Sequence, residues 1–270
     1  MQEHRAKSLS EFVDLIERLQ KKAMAPLWYR GCSRASHSLL PSLYRKRPGP
    51  NHPTTLSELE SELVARFRER SLPYQIRPLG NDALETLFLM QHFGVPTRLL
   101  DWTENPFSGL YFALRDAPHH FTKTGRLSFK QKAVVWVLDP ASWNRGALTQ
   151  RSFAGGVLSP AHETLTAYRP IGQIEDLAPR PVALYGAHNS PRIVAQQGVF
   201  VLFGSSTDPM EAVVQRPEFT QQCLTRIVIM PGVVRNLREA LWRNGVTDAA
   251  MFPDLEGLAR DLRRSFGFAI

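Results

Sequence analysis

Ala133-Val134-Val135-Trp136-Val137-Leu138 is the longest unbroken apolar run in a chain of 270 residues. It is far shorter than the roughly 20 residues a membrane-spanning helix requires, and its β-branched and aromatic content reads as a strand. Three further runs in the same half have the same texture: Val182 to Tyr185, Val199 to Phe203 and Leu224 to Met230. Gly, Pro and Ser separate them, so the second half is expected to be sheet-rich.

Toward the N-terminus the pattern becomes helical. Ser8 and Glu11 form a capping box ahead of Phe12, Leu15, Ile16 and Leu19, which predicts an N-terminal helix within residues 1–25 that Pro26 ends. Leu27-Trp28-Tyr29 then reads as a short strand delivering Arg30 and Gly31 at its end, and Ser36 to Pro53 reads as a basic loop. Leu56, Leu59, Leu63 and Phe67 predict a helix from Thr55 to Arg70, and a further helix is expected to begin at Asn81 and stop at Gly94. Asn105 as cap and Pro106 at the first helical position predict another, ending near Pro118. C-terminal helices are expected within 233–270, from the periodicity of Leu237 and Leu241 and of Leu255, Leu258, Leu262 and Phe266. Helices come first and strands follow without one-for-one alternation, which predicts an α+β fold, with a helical N-terminal half and a sheet-rich second half in one domain spanning 1–270.

Composition narrows the function classes. With 43% hydrophobic and 21% charged residues the chain can build a core, which excludes disordered and fibrous classes. Cys32 and Cys223 are too few for a disulfide framework and have no zinc spacing, and no secretory apolar core opens the chain, so a cytoplasmic location and no membrane partner are expected. The formal charge of +8 favours encounter with polyanions, nucleic acid among them. Phosphate loop, dinucleotide fingerprint, paired-His zinc motif and nucleophile elbow are all missing from the sequence. His119 and His120 lack acidic partners at ligand spacing and read as a solvated helix end, so no metal is expected.

The densest polar and aromatic stretch runs from Gln91 to Pro106. Gln91, His92, Thr97, Arg98, Asp101 and Thr103 are interleaved with apolar residues, so several must find hydrogen-bond partners in the interior or in a cleft. Two readings fit. In one, an Arg98–Asp101 pair and the Thr103 and Asn105 caps staple a strand-like turn to the next helix. In the other, the segment lines a pocket, with Trp102 or Phe93 as a stacking wall and Thr103 or Gln91 as donors.

This pattern resembles the FRG domain, a family named for its Phe-Arg-Gly motif. The residues that carry the resemblance are Trp28-Tyr29-Arg30-Gly31, Leu40-Pro41-Ser42, Met90 to Gly94, Thr97 to Thr103 with Asn105-Pro106, Leu110 to Ala113, Pro191-Arg192-Ile193, Gln196 to Phe200 and Phe252 to Leu258. Tyr29 stands where the family name has Phe. The layout also resembles that of ADP-ribosyltransferases: Tyr29-Arg30-Gly31, then Asp101-Trp102-Thr103 with Tyr111-Phe112-Ala113, then Gln196-Gln197 ahead of a strand.

The second resemblance implies a split β-sheet, NAD as substrate and a site built on Arg30, Thr103, Gln196, Gln197 and His92. Tyr29, Arg30, Gly31, Gln91, Thr97, Arg98, Asp101, Trp102 and Phe112 would surround the nucleotide. Arg30 would grip the pyrophosphate with charge-assisted bonds worth about 1.5–3 kcal/mol each, and Gly31 would let backbone approach the nicotinamide amide. Gln196-Gln197 stands where a transferase has Glu, and an amide cannot act as a general base; an intrinsically nucleophilic acceptor, a base supplied by His92 or Asp101, or loss of activity would each accommodate this. The positive charge points to RNA or single-stranded DNA as acceptor. An enzyme of that kind would be toxic to its own cell, which implies a bacterial toxin or phage-defence effector with an antitoxin partner. The competing expectation is a nucleotide- or nucleic-acid-binding module without turnover.

Overall fold

The computed structural model describes residues 1–45, 49, 55–74, 80, 82–124, 127–151, 153–169, 174, 177–186 and 190–268. Its strands are β1 (Gln2–Ala6), β2 (Trp28–Cys32), β3 (Leu99–Thr103), β4 (His119–Phe121), β5 (Leu127–Phe129), β6 (Ala133–Leu138), β7 (Val182–Tyr185), β8 (Gly198–Leu202) and β9 (Leu224–Ile229). Its α-helices are α1 (Leu9–Gln20), α2 (Ser42–Arg45), α3 (Leu56–Ser71), α4 (Ala83–His92), α5 (Pro106–Arg115), α6 (Pro140–Ala147), α7 (Pro191–Gln196), α8 (Met210–Val213), α9 (Val234–Arg243), α10 (Asp248–Met251) and α11 (Leu255–Ser265). Among the described residues, none of these is long and apolar enough to cross a membrane.

Seven strands form one mixed sheet in the order β1-β9-β6-β2-β3-β8-β7, in which β1 and β9 are parallel and the other neighbours antiparallel. The long apolar run becomes the buried strand β6. Ala133, Val135 and Val137 enter one core with Leu110, Leu114, Leu237 and Phe12, while Val134, Trp136 and Leu138 enter another with Trp28, Trp102 and Trp143. A strand covered on both faces has no solvent side, which is why its sequence runs apolar without alternation. A third cluster, with Leu84, Leu87 and Phe88 of α4, covers Leu99, Phe200, Leu202, Val182 and Leu184 at the other end of the sheet.

The expected division into a helical first half and a sheet-rich second half does not describe this molecule. β1, β2 and β3 come from the first half and α6, α7 and α8 lie among the later strands. Within 1–25 a strand precedes the helix: β1 is a polar edge strand without alternating hydrophobicity, ordered by its backbone pairing to β9 more than two hundred residues away. His119 and His120 lie in the β4–β5 hairpin rather than at a helix end. The predicted helix start at Asn81 lies outside the described residues, and Asp82 caps α4 by accepting from the Leu84 amide at 2.9 Å. Part of the loop read over 36–53 likewise lies outside them, and Ser42–Arg45 forms a short helix. The other caps follow the sequence: Ser8 accepts from the Glu11 amide, and Asn105 Oδ1 from the amides of Phe107 and Ser108. The C-terminal residues fold as α9, α10 and α11.

Candidate functional site

The seven-stranded sheet has a weak seam. β2 and β3 pair at a single position, Tyr29 with Thr103, whereas β2 pairs with β6 over five residues and β3 with β8 over five. Beyond that position the two strands part, and Arg30 spans the gap by donating from Nη1 to the backbone carbonyl of Asp101, with the Asp101 carboxylate 3.9 Å away. A guanidinium thus supplies the cross-strand bond that the backbones no longer make.

A cleft of about 320 Å³ opens at this seam, at the small end of the range of about 300–1,000 Å³ for ligand pockets. The end of α4 contributes Gln91 and His92, β3 contributes Asp101, Trp102 and Thr103, α5 contributes Phe112, and α7 contributes Arg192 and Gln196. Tyr29, Gly31, Cys32, His37 and Arg45 complete the wall around Arg30.

A relay of hydrogen bonds orients the acidic group. Thr97 donates through its hydroxyl to Gln91 Oε1, and Gln91 Nε2 donates to Asp101 Oδ2 at 2.7 Å. Because Gln91 has one acceptor and one donor end, Thr97 sets which end faces Asp101. His92 lies beside Ser190, 3.4 Å from Nδ1 to Oγ, and edge-on to Phe93. Burial, reinforced by the positive charge of Arg192 and opposed by Asp101, holds the His92 imidazole below its ordinary value, so it is neutral at pH 7. Desolvation and the guanidiniums of Arg34, Arg45 and Arg30 lower His37 in the same way. Burial pushes the Cys32 thiol up against the opposing pull of Arg30 and Arg45, which keeps it protonated.

Several expected roles change. Arg98 is fully buried and does not pair with Asp101: it bonds to Glu60 Oε1 at 2.7 Å and to the carbonyls of Phe203 and Tyr168. Side chains alternate faces along an extended segment, so residues three apart point to opposite sides. Thr97 stands behind the cleft, acting through Gln91. Gly31 lies against α5: a Cβ there would sit 2.1 Å from the Gly109 carbonyl oxygen and 2.2 Å from the Ala113 nitrogen, so its missing side chain admits a helix.

Gln196 and Gln197 end α7 instead of opening a strand. Gln197 is exposed in the left-handed conformation at φ 49° and does not line the cleft, and the Gln196 amide donates to the Met251 carbonyl at 2.9 Å. Thr103 spends its hydroxyl proton on the Gln196 carbonyl. Arg30, His92, Asp101, Trp102, Thr103, Gln196, Phe112 and Gln91 do meet in one cleft. Arg45, Arg192, Cys32, His37 and Asp116 join them without any role read from sequence, although Pro191-Arg192 directly after the Ser190 cap was a local signal. Among the described residues, no three His, Cys, Asp or Glu side chains gather at metal-ligand spacing.

Residues 25–121 match the FRG domain. The FRG match contains β2, β3, α4 and α5, and with them both parting strands, the Arg30 bridge and the Gln91–Asp101 relay. Arg192 and Gln196 approach the FRG segment from outside the matched range. No curated protein and no solved structure matches the chain.

Proposed function

We propose that the cleft binds NAD and transfers ADP-ribose to a macromolecular acceptor, with single-stranded nucleic acid preferred. The observation that carries this reading is the seam itself: one paired position between two strand groups, with an arginine bridging the gap and a neutral histidine beside it. A split sheet of this kind is what the resemblance to ADP-ribosyltransferases implies. In the reaction, the bond between the ribose C1′ and the nicotinamide nitrogen breaks and nicotinamide leaves with the electron pair. The acceptor's lone pair forms the new bond to C1′, and its proton passes to His92. Arg30 contacts the pyrophosphate, Phe112 and Trp102 wall the nicotinamide end, and Asp101, held by Gln91, opposes the positive charge that develops on the ribose. The net charge of +8 supports a polyanionic acceptor. A self-toxic activity of this kind fits a toxin or defence effector restrained by an antitoxin.

The reading is tested with adenylate-labelled NAD and a cellular extract fractionated into RNA, DNA, protein and free ADP-ribose. Label is expected in the nucleic-acid fraction, and Arg30→Ala is expected to lower it about a hundredfold. Arg30→Lys, which keeps the charge but loses the fork, separates grip from bridging; a thermal melt of each variant verifies folding. Unchanged NAD with every extract, alongside an active control transferase, would overturn the proposal.

The pH dependence follows from His92. Only the neutral imidazole accepts a proton, and its lowered value means that the acid limb of the rate profile lies below the ordinary 6.5. His92→Gln is expected to lower turnover by about 10²–10⁴-fold and to remove that limb. The unfolded chain binds the proton more readily, so His92 also makes stability fall as pH drops through about 6.5, levelling off below its folded value. An unchanged acid limb in His92→Gln excludes it as the base.

One observation favours a second reading, a nucleotide- or nucleic-acid-binding module without turnover. Thr103 and Gln196, two of the residues on which the resemblance builds the site, already have structural partners in α7 and α10. Such a module would raise the melting temperature with bound ligand while releasing no nicotinamide.

A further inference from the structure

Arg30, Arg45 and Arg192 line the cleft. Arg30 and Arg45 act on one another and on Cys32, while Asp101 and Asp254 favour the Arg192 cation and Arg115 and Arg260 oppose it. Arg115, Arg192 and Arg260 surround one ring, with their guanidinium carbons 4.6, 4.5 and 5.5 Å from the centroid of Phe252. Arg115 also pairs with Asp116 at 3.5 Å, and Arg260 pairs with Glu256. Arg192 is different. Among the described residues its guanidinium has no hydrogen-bond or ion-pair partner, yet it is half-buried and lines the cleft. A stacked guanidinium is held at a fixed angle by the ring and presents its N–H edge away from the stack, which suits two-point binding of a phosphate.

We propose that Arg192, held on Phe252, is a second phosphate-binding arginine of the cleft, besides Arg30. It rests on the reading of the cleft as a nucleotide site and names a contact that reading does not require. The like charges of Arg115 and Arg260 are brought close to Arg192 at an electrostatic cost that Asp101 and Asp254 offset in part, and a bound phosphate adds to that offset. The phosphate comes either from the pyrophosphate of the dinucleotide or from a phosphodiester of the acceptor strand. Both have the same chemistry at Arg192, and different titrations separate them.

The experiment measures binding by calorimetry at fixed salt for the full chain and for R192Q, R192K and R30K. The probes are NAD, ADP-ribose, inorganic pyrophosphate and an unstructured RNA oligonucleotide. R192Q is expected to weaken at least one phosphate probe about tenfold or more, with R192K intermediate because it keeps the charge and loses the fork. Loss confined to NAD, ADP-ribose and pyrophosphate assigns the contact to the dinucleotide; loss confined to RNA assigns it to the acceptor. If the full chain binds pyrophosphate or RNA through Arg192 but not NAD, the phosphate site stands and the NAD reading falls. Equal binding of every probe by a folded R192Q, or no binding of any probe by the full chain, overturns the proposal. R30K tests the first arginine: if it alone weakens all the probes, Arg192 is not a phosphate site.

Discussion

Gly31→Ala is expected to destabilise the protein by about 3 kcal/mol or more, lowering the melting temperature by roughly 6–12 °C for a chain of this size. The added methyl would lie 2.1 and 2.2 Å from backbone atoms of Gly109 and Ala113. Both belong to α5, so no rotamer relieves the clash and the helix must move away from β2. The contact is tight from both sides, because a Cβ at Gly109 would lie 2.7 Å from the Tyr29 Cβ. Moving α5 also shifts Phe112 and widens the seam, so ligand affinity should fall with stability. Gly232→Ala serves as control: a Cβ there meets nothing within 4 Å, and a change of no more than about 0.5 kcal/mol is expected. A Gly31→Ala melt within 2 °C of the parent would mean that α5 is not seated on this strand.

Arg98→Met should cost about 3–5 kcal/mol, read as a lower urea midpoint. Arg98 is wholly enclosed and ties together α3 through Glu60, the turn at Tyr168 and the end of β8 through Phe203. Its removal strands the Glu60 carboxylate, which is only 3% exposed, and leaves two carbonyls without a donor. The double variant Glu60→Leu with Arg98→Met is expected to recover part of the loss, since no charge remains buried. Recovery should be incomplete, because the Phe203 and Tyr168 carbonyls still lack their partner. A single variant unfolding at the parent midpoint would refute the assignment of Arg98 to the framework.

Arg98 and Arg30 illustrate how far sequence reading reaches. Both are arginines beside apolar strand residues, and both belong to the stretches that resemble the FRG domain. Nothing local distinguishes the one enclosed by Glu60, Phe203 and Tyr168 from the one that spans the seam. Their partners lie 38 to 105 residues away. The Gln196-Gln197 pair gives the same lesson: its polarity marks it as functional, but the αL turn at Gln197 and the Met251 carbonyl decide where the amides go.

Residue order and local chemistry were enough to place the caps of α1 and α5, the long helix α3, the buried strand β6 and the polar stretch that supplies Gln91, His92 and Asp101 to the cleft. Helix periodicity, capping and β-branched runs act over a few residues, so they are written in neighbouring letters. The parallel edge strand β1, the parting of β2 from β3, the enclosure of Arg98 and the stacking of Arg192 on Phe252 were decided by the tertiary structure. Each depends on groups brought together from distant parts of the chain, where burial and the need to satisfy every enclosed polar group select one partner among many.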